Sequence, residues 1–170
     1  MESADSIRSL YRHFLSGITK KSLSAFYYAC SYAKADYSAF MNVTAVMALK
    51  MIPKTLLSQP VFLCIDDTMV TKFGRTFEDV SKLFDHASHN GSNYLNGHCF
   101  VSVMLCVPVW NKNRIHYLCV PLGYRMWQKK DSKLELAASM VRQVTPAFTK
   151  QKNVIILCDS WYVKKDLVCL

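Results

Sequence analysis

Two short runs constrain this chain more than any other feature. Val61-Phe62-Leu63-Cys64-Ile65 is apolar at every position and closes on Asp66 and Asp67; Val154-Ile155-Ile156-Leu157-Cys158 does the same and closes on Asp159. A strand with no polar face suits the middle of a sheet covered on both sides, typically beside a parallel neighbour. Between them lie two β-rich stretches, residues 99–109 and 115–120, separated by the largely polar gap Trp110-Asn111-Lys112-Asn113-Arg114, which suits an antiparallel hairpin. A helix is expected from Ser132 to about Val144, striped by Leu134, Ala137, Ala138, Val141 and Val144 and ended by Pro146. The tail from Val163 to Leu170 reads as the start of another helix. Residues 68–97 read as either a short helix through Phe77, Val80, Leu83 and Phe84 or an irregular loop.

The chain before these runs has a different period. Ile7, Leu10, Tyr11, Phe14 and Ile18 recur at three- and four-residue steps behind caps at Asp5 or Ser6. Leu23, Phe26, Tyr27 and Cys30 make a second stripe, and Phe40, Val43, Val46 and Met47 a third that Pro53 stops. Residues 1–56 are therefore expected as a small helical region and residues 57–170 as an α/β domain.

Hydrophobic residues make up 51% of the 170, enough to exclude a disordered tail. No apolar run reaches the roughly 18 residues of a bilayer span, so no membrane is expected. The N-terminus MESADSIRSL lacks the basic and apolar regions of a signal peptide. The seven cysteines show no CxxC spacing, and Cys64, Cys99, Cys106, Cys119 and Cys158 lie in apolar runs. Such thiols behave as small hydrophobes, which points away from a zinc site or a disulfide scaffold and towards a cytoplasmic protein. The net charge of +9 points to a polyanion, although a basic surface is often only solvated. The charge is spread: residues 1–56 hold seven basic and three acidic residues, residues 57–170 fourteen and nine.

Strand, strand, strand, helix, strand, helix is the order of the ribonuclease-H-like fold, a mixed sheet with strand order 3-2-1-4. In that fold Asp66 and Asp159 would finish neighbouring parallel strands, whose axes lie about 4.8 Å apart. Ligands of open α/β sheets bind beyond the carboxyl ends of the strands. Two carboxylates brought together there repel unless a cation lies between them, and hard oxygen ligands on an open edge suit Mg²⁺ or Mn²⁺. An Asp just past a strand is also a common turn or cap residue; two of them in these slots make the case for chemistry. Asp67 is the alternative to Asp66, because alternation along a continuing strand turns the two side chains to opposite faces.

Cys64-Ile65-Asp66-Asp67-Thr68, followed by Lys72 and Gly74, resembles the first-aspartate motif of the DDE transposases of bacterial insertion sequences. Asn96-Gly97-His98 before the next strand, and Leu157-Cys158-Asp159-Ser160-Trp161-Tyr162 for the second aspartate, resemble the same family. The resemblance covers residues 57–170. It implies a metal-dependent catalytic core that cleaves transposon-end DNA and joins it to target DNA, with Asp66 and Asp159 as catalytic metal ligands, Mg²⁺ or Mn²⁺ as cofactor, and a homodimer open to the full-length protein. The family's third acid, a Glu on a later helix, has no counterpart in the 11 residues after Asp159, so the core is expected to be incomplete at its C-terminus and inert or nearly so alone. Glu135 precedes Asp159 and fits a capping box with Ser132.

Lys72, Arg75, Arg125, Lys129 and Lys130 are the candidate DNA contacts. Arg125-Met126-Trp127-Gln128-Lys129-Lys130 mixes cations with an aromatic ring, as a surface meeting phosphates or an unstacked base does. His86 and His89 have a metal-compatible spacing without a third ligand near in sequence and suit a polar loop. No Gly-rich phosphate loop and no G-x-S-x-G turn is present. The competing readings are a non-catalytic DNA-binding or partner-binding remnant, and an unrelated α/β domain in which the aspartates are incidental.

Overall fold

A computed structural model describes residues 6–34, 36–73, 78–84, 93–149 and 153–163. The chain divides into two compact units, Met1–Asp36 and Tyr37–Leu170. In the smaller unit, helix α1 (Ile7–Leu10) runs through a π-helical turn (Tyr11–Leu15) into α2 (Ser16–Ile18), and α3 (Leu23–Tyr32) follows. Ser6 caps α1 by accepting from the Ser9 N–H, and Ser22 caps α3 by accepting from the Ala25 N–H. Tyr11 meets Phe26 ring to ring at 5.7 Å and donates its hydroxyl to the Lys21 carbonyl. Asp5, the other expected cap, lies outside the described residues, as does the expected helical tail beyond Val163.

The larger unit is α/β, a mixed open sheet of five strands with helices. It begins with α4 (Tyr37–Lys50), which sequence reading groups with the N-terminal helices. Strands β1 (Val61–Thr71), β2 (Ser81–Phe84), β3 (Tyr94–Asn111) and β4 (Arg114–Trp127) follow, then α5 (Lys133–Val144) and β5 (Val154–Cys158). The sheet runs β2-β3-β1-β5, with β4 also paired to β3. β1 is antiparallel to β3 and parallel to β5, in register from Val61↔Val154 to Ile65↔Cys158.

Several expectations need correction. The strand expected over residues 61–65 continues to Thr71. Past Ile65 it keeps β3 on one side but loses β5 on the other, so Asp66, Asp67 and Thr68 meet no requirement to be apolar. Residues 81–84 form a strand and not a helix: Leu83 turns inward, Lys82 and Phe84 outward, a two-residue period too short to show in sequence. The third helical stripe faces the wrong way. Phe40 and Met47 are 67% and 63% exposed, and α4 buries Met41, Ala45 and Ala48 instead; the two alanines let the helix axis approach its neighbours closely, and Met41 fills the space beside them.

The core fills one face of the sheet. Val61, Leu63 and Ile65 of β1 and Val101, Val103, Leu105 and Val107 of β3 pack with Leu134, Ala137, Met140, Val141 and Val144 of α5 and the buried side of α4. Alternation carries Phe62, Cys64 and Cys106 to the opposite face. β5 is not the doubly covered strand its composition suggests: it ends the sheet path, and its Leu157 is 46% exposed.

Local chemistry explains the turns. The β3–β4 hairpin closes on Lys112-Asn113, both at positive φ (47° and 61°), as a two-residue type I′ turn requires, so the loop is shorter than the expected five-residue gap. A bulge between Val103 and Met104 of β3, opposite Gly123 and Pro121, leaves Leu122 as the extra residue and buries it in the core. Ser132 caps α5 by accepting from the Glu135 N–H, and the helix gives way to a 3₁₀ turn at Thr145-Pro146.

Gly97 sits where β3 passes closest to β1. A Cβ there would lie 2.4 Å from the Val70 carbonyl oxygen, which is backbone and cannot give way; at Gly123 the nearest atom is the Met41 sulfur at 3.0 Å, on a flexible side chain. Gly97→Ala is therefore expected to cost about 1–3 kcal/mol and Gly123→Ala clearly less, measured by urea unfolding of the two variants.

Candidate functional site

The site lies where β1 and β5 part. Ile65 and Cys158 are the last parallel partners, and Asp66 and Asp159 are the residues that follow them along each chain segment. Asp66 stays in extended β1, opposite Ser102 of β3, whose hydroxyl donates to the Asp66 carbonyl at 3.0 Å. Asp159 has left β5 and starts a 3₁₀ turn (Ser160–Tyr162), accepting the Tyr162 N–H at its carbonyl. Both side chains are exposed. Asp66 Oδ1 accepts the Asp67 N–H at 2.8 Å and Asp159 Oδ1 accepts the Ser160 hydroxyl at 3.0 Å. Among the described residues neither carboxylate is in an ion pair. Two oxygen-donor side chains on an open sheet end fit one hard cation that keeps waters and takes further oxygen ligands. Among the described residues no group of three or more His, Cys, Asp or Glu side chains could hold a metal ion.

Asp67 has a different occupation. Alternation turns it to the helix-covered face, where Lys133 at the start of α5 meets its Oδ2 at 2.6 Å. Cys99 Sγ donates to the same oxygen at 3.4 Å, and the Tyr162 hydroxyl donates to Oδ1 at 3.4 Å. Lys133 Nζ also stands 5.6 Å from the Trp127 ring centre and 5.8 Å from that of Trp161, within cation–π reach. Burial would raise the Asp67 pKa, but the hydrogen bond and charge of Lys133, with Cys99 and Tyr162, outweigh it and hold the carboxyl below its ordinary range. Burial would lower Lys133, and Asp67 reverses that too, so the ammonium is held above its usual value. The Tyr162 hydroxyl is pushed up by burial first, then by the negative charges of Asp67 and Asp66. Asp67 is thus committed to a neutralising pair, which leaves Asp66 as the better candidate ligand. Sequence reasoning gives no role to Lys133; its signal is the strand alternation, which turns a carboxylate inward and so demands a counter-charge.

The candidate DNA contacts are dispersed. Lys72 follows β1, its N–H bonded to the Asn96 carbonyl. Arg125 is half-buried on β4 and donates to Gln143 Oε1 of α5 at 3.2 Å. Trp127 donates its ring N–H to the Asp131 carbonyl at 2.8 Å, so the indole is anchored inward. Lys129 and Lys130 project from the turn between β4 and α5. Arg75, Gly74, His86 and His89 lie outside the described residues. His98 contacts the Glu78 carbonyl through Nε2 at 2.8 Å, and Glu135 is exposed on α5 as a cap partner. No protein-family model, no curated protein and no solved structure matches the chain.

The Lys133–Asp67 pair sets a signed pH dependence. Asp67 titrates lower in the folded chain, so its contribution is complete above about pH 4 and lost as pH falls through its depressed value. Lys133 titrates higher when folded, so its contribution is complete below about pH 10 and lost as pH rises through its raised value. Lys133→Met leaves a half-buried carboxylate without its cation, an expected cost of about 1–3 kcal/mol at neutral pH. Denaturation midpoints across pH check this: the acid limb flattens in both Lys133→Met and Asp67→Asn.

Proposed function

We propose that residues 57–170 are a ribonuclease-H-like core of a DDE transposase, acting on transposon-end and target DNA in the cytoplasm through a Mg²⁺ or Mn²⁺ site at Asp66 and Asp159. The observation that carries this reading is the register: the parallel β1–β5 pair ends at Ile65↔Cys158, and each of the two motif aspartates is the next residue at the carboxyl end of its run. The pairing order supports it as well, since β4-β3-β1-β5, with the short β2 set aside, corresponds to 3-2-1-4. Among the described residues no helix is long and apolar enough to cross a membrane.

A bound divalent ion there supplies charge neutralisation to a phosphodiester undergoing transfer. The chain's own residues do the rest. Asp66, fixed in the continuous strand, and Asp159, at the head of a 3₁₀ turn, present carboxylate oxygens. Lys133 withdraws the adjacent Asp67 from that role by pairing with it. The exposed Lys129 and Lys130 offer phosphate contacts without sequence reading.

A second reading, a non-catalytic DNA-binding or partner-binding remnant, is favoured by one observation: among the described residues no group of three or more metal-ligating side chains comes together. Mn²⁺ titration followed by electron paramagnetic resonance separates the two. Under the first, binding is lost in Asp66→Asn and in Asp159→Asn and kept in Asp67→Asn; binding unchanged by all three supports the second. With two acids, the 170-residue chain is expected to leave transposon-end cleavage at background. DNA affinity is expected to fall with salt, and Lys129→Ala with Lys130→Ala to shallow that dependence by about one unit of log–log slope per lost phosphate contact, read by fluorescence anisotropy.

A further inference from the structure

Cys64, Cys106 and Cys119 stand in a row across β1, β3 and β4. Cys106 and Cys119 are direct partners in the antiparallel register, their sulfurs 2.9 Å apart, and Cys64 Sγ lies 3.8 Å from Cys106 Sγ. Opposite residues of an antiparallel pair have Cα atoms about 4.5–5.5 Å apart, inside the roughly 4.4–6.8 Å that a disulfide spans. Bond closure therefore needs side-chain rotation and no backbone displacement. All three thiols are on the face away from α4 and α5, and their access is graded: Cys119 is exposed, Cys64 intermediate, Cys106 only 7% exposed.

We propose that Cys106 and Cys119 form a dithiol that a hydroperoxide oxidises to a reversible disulfide, with Cys64 as the thiol that takes over the bond by exchange. Cys119 is the point of entry. Its thiolate attacks a peroxide oxygen, the O–O bond breaks, and the departing hydroxide takes up a proton as water, leaving a sulfenic acid on Cys119. Cys106 then attacks that sulfur: the S–S bond forms, the S–O bond breaks, and the hydroxyl leaves with the Cys106 proton as a second water. Two thiols have lost two electrons and two protons, and hydrogen peroxide has become two waters. Burial, and then the neighbouring thiols, push the Cys106 thiol up, which makes it a poor first nucleophile and keeps the order of steps. Cys64 can next attack Cys106 Sγ, moving the bond to Cys64–Cys106 and releasing Cys119 as a thiol.

The full chain, treated with one equivalent of hydrogen peroxide, blocked with N-ethylmaleimide and mapped without reduction, tests this. Cys106 and Cys119 are expected to leave the alkylated pool together and to appear in one joined peptide lighter by two hydrogens, restored by dithiothreitol. A Cys64–Cys106 peptide growing at the expense of the first supports the exchange step. In Cys106→Ser/Cys64→Ser, Cys119 is expected to accumulate as a sulfenic acid captured by dimedone. In Cys119→Ser/Cys64→Ser, loss of the Cys106 thiol is expected to slow to the rate of the buried Cys99. Cys106 and Cys119 both remaining alkylatable in the unsubstituted chain after the exposed Cys30 has been oxidised overturns the proposal, as does Cys119 oxidised alone with no joined peptide.

Discussion

Strand β3 is the member on which the rest of the sheet hangs. Its 18 residues hydrogen-bond to β1 on one edge and to β2 and β4 on the other, so one run of alternation decides the facing of four strands. Val101, Val103, Leu105 and Val107 take the helix side, and β1 must then offer Val61, Leu63 and Ile65 to the same side. From that follows the separation of the adjacent aspartates: Asp67 shares the parity of Leu63 and Ile65 and goes inward, and Asp66 goes outward. A slip of one residue in the β1–β3 register would exchange their roles and expose the apolar face of β1 to water.

The inward carboxylate explains why Lys133 stands where it does. α5 is an ordinary amphipathic helix along most of its length, but its first residue carries a cation over the end of the core, between two indole rings and within reach of Asp67. The pair ties α5 to β1, and Tyr162, in the turn after β5, donates to the other oxygen of the same carboxylate. One side chain thus joins three elements that flank the exposed aspartates. The site's frame is polar and interior, while its candidate ligands face outward and, among the described residues, form no ion pair.

Much of this was legible in the residues and some was not. Wholly apolar pentapeptides followed by Asp mark β1 and β5 as strands, the order of elements makes them parallel neighbours, and the Ser132 cap with Pro146 bounds α5, because these signals are local. α4 is ambiguous: where Phe40, Val43 and Met47 offer one apolar stripe and Met41, Ala45 and Ala48 another, hydrophobicity alone cannot choose between them, and the buried one is the stripe with the two alanines. β5 misled in another way, since apolar composition states what a strand can tolerate and not what covers it. β2 is four residues long and reveals itself only in its pairing with residues 94–97. The Asp67–Lys133 pair spans 66 positions of chain, and no local pattern records such a contact.

The hairpin turn at Lys112-Asn113 has a bearing on time. β3 and β4 are joined by two residues and can zip from the turn outward, whereas β1 and β5 meet only after the intervening chain from Val61 to Val154 has been looped back. The hairpin is thus expected early in folding and the β1–β5 ladder late. The residues just before Asp66 and Asp159 are held together by this five-pair parallel ladder at the end of the sheet path, where a partial opening is expected to begin. Release of five residue pairs at the β5 edge would separate the two carboxylates while the remaining sheet stays paired.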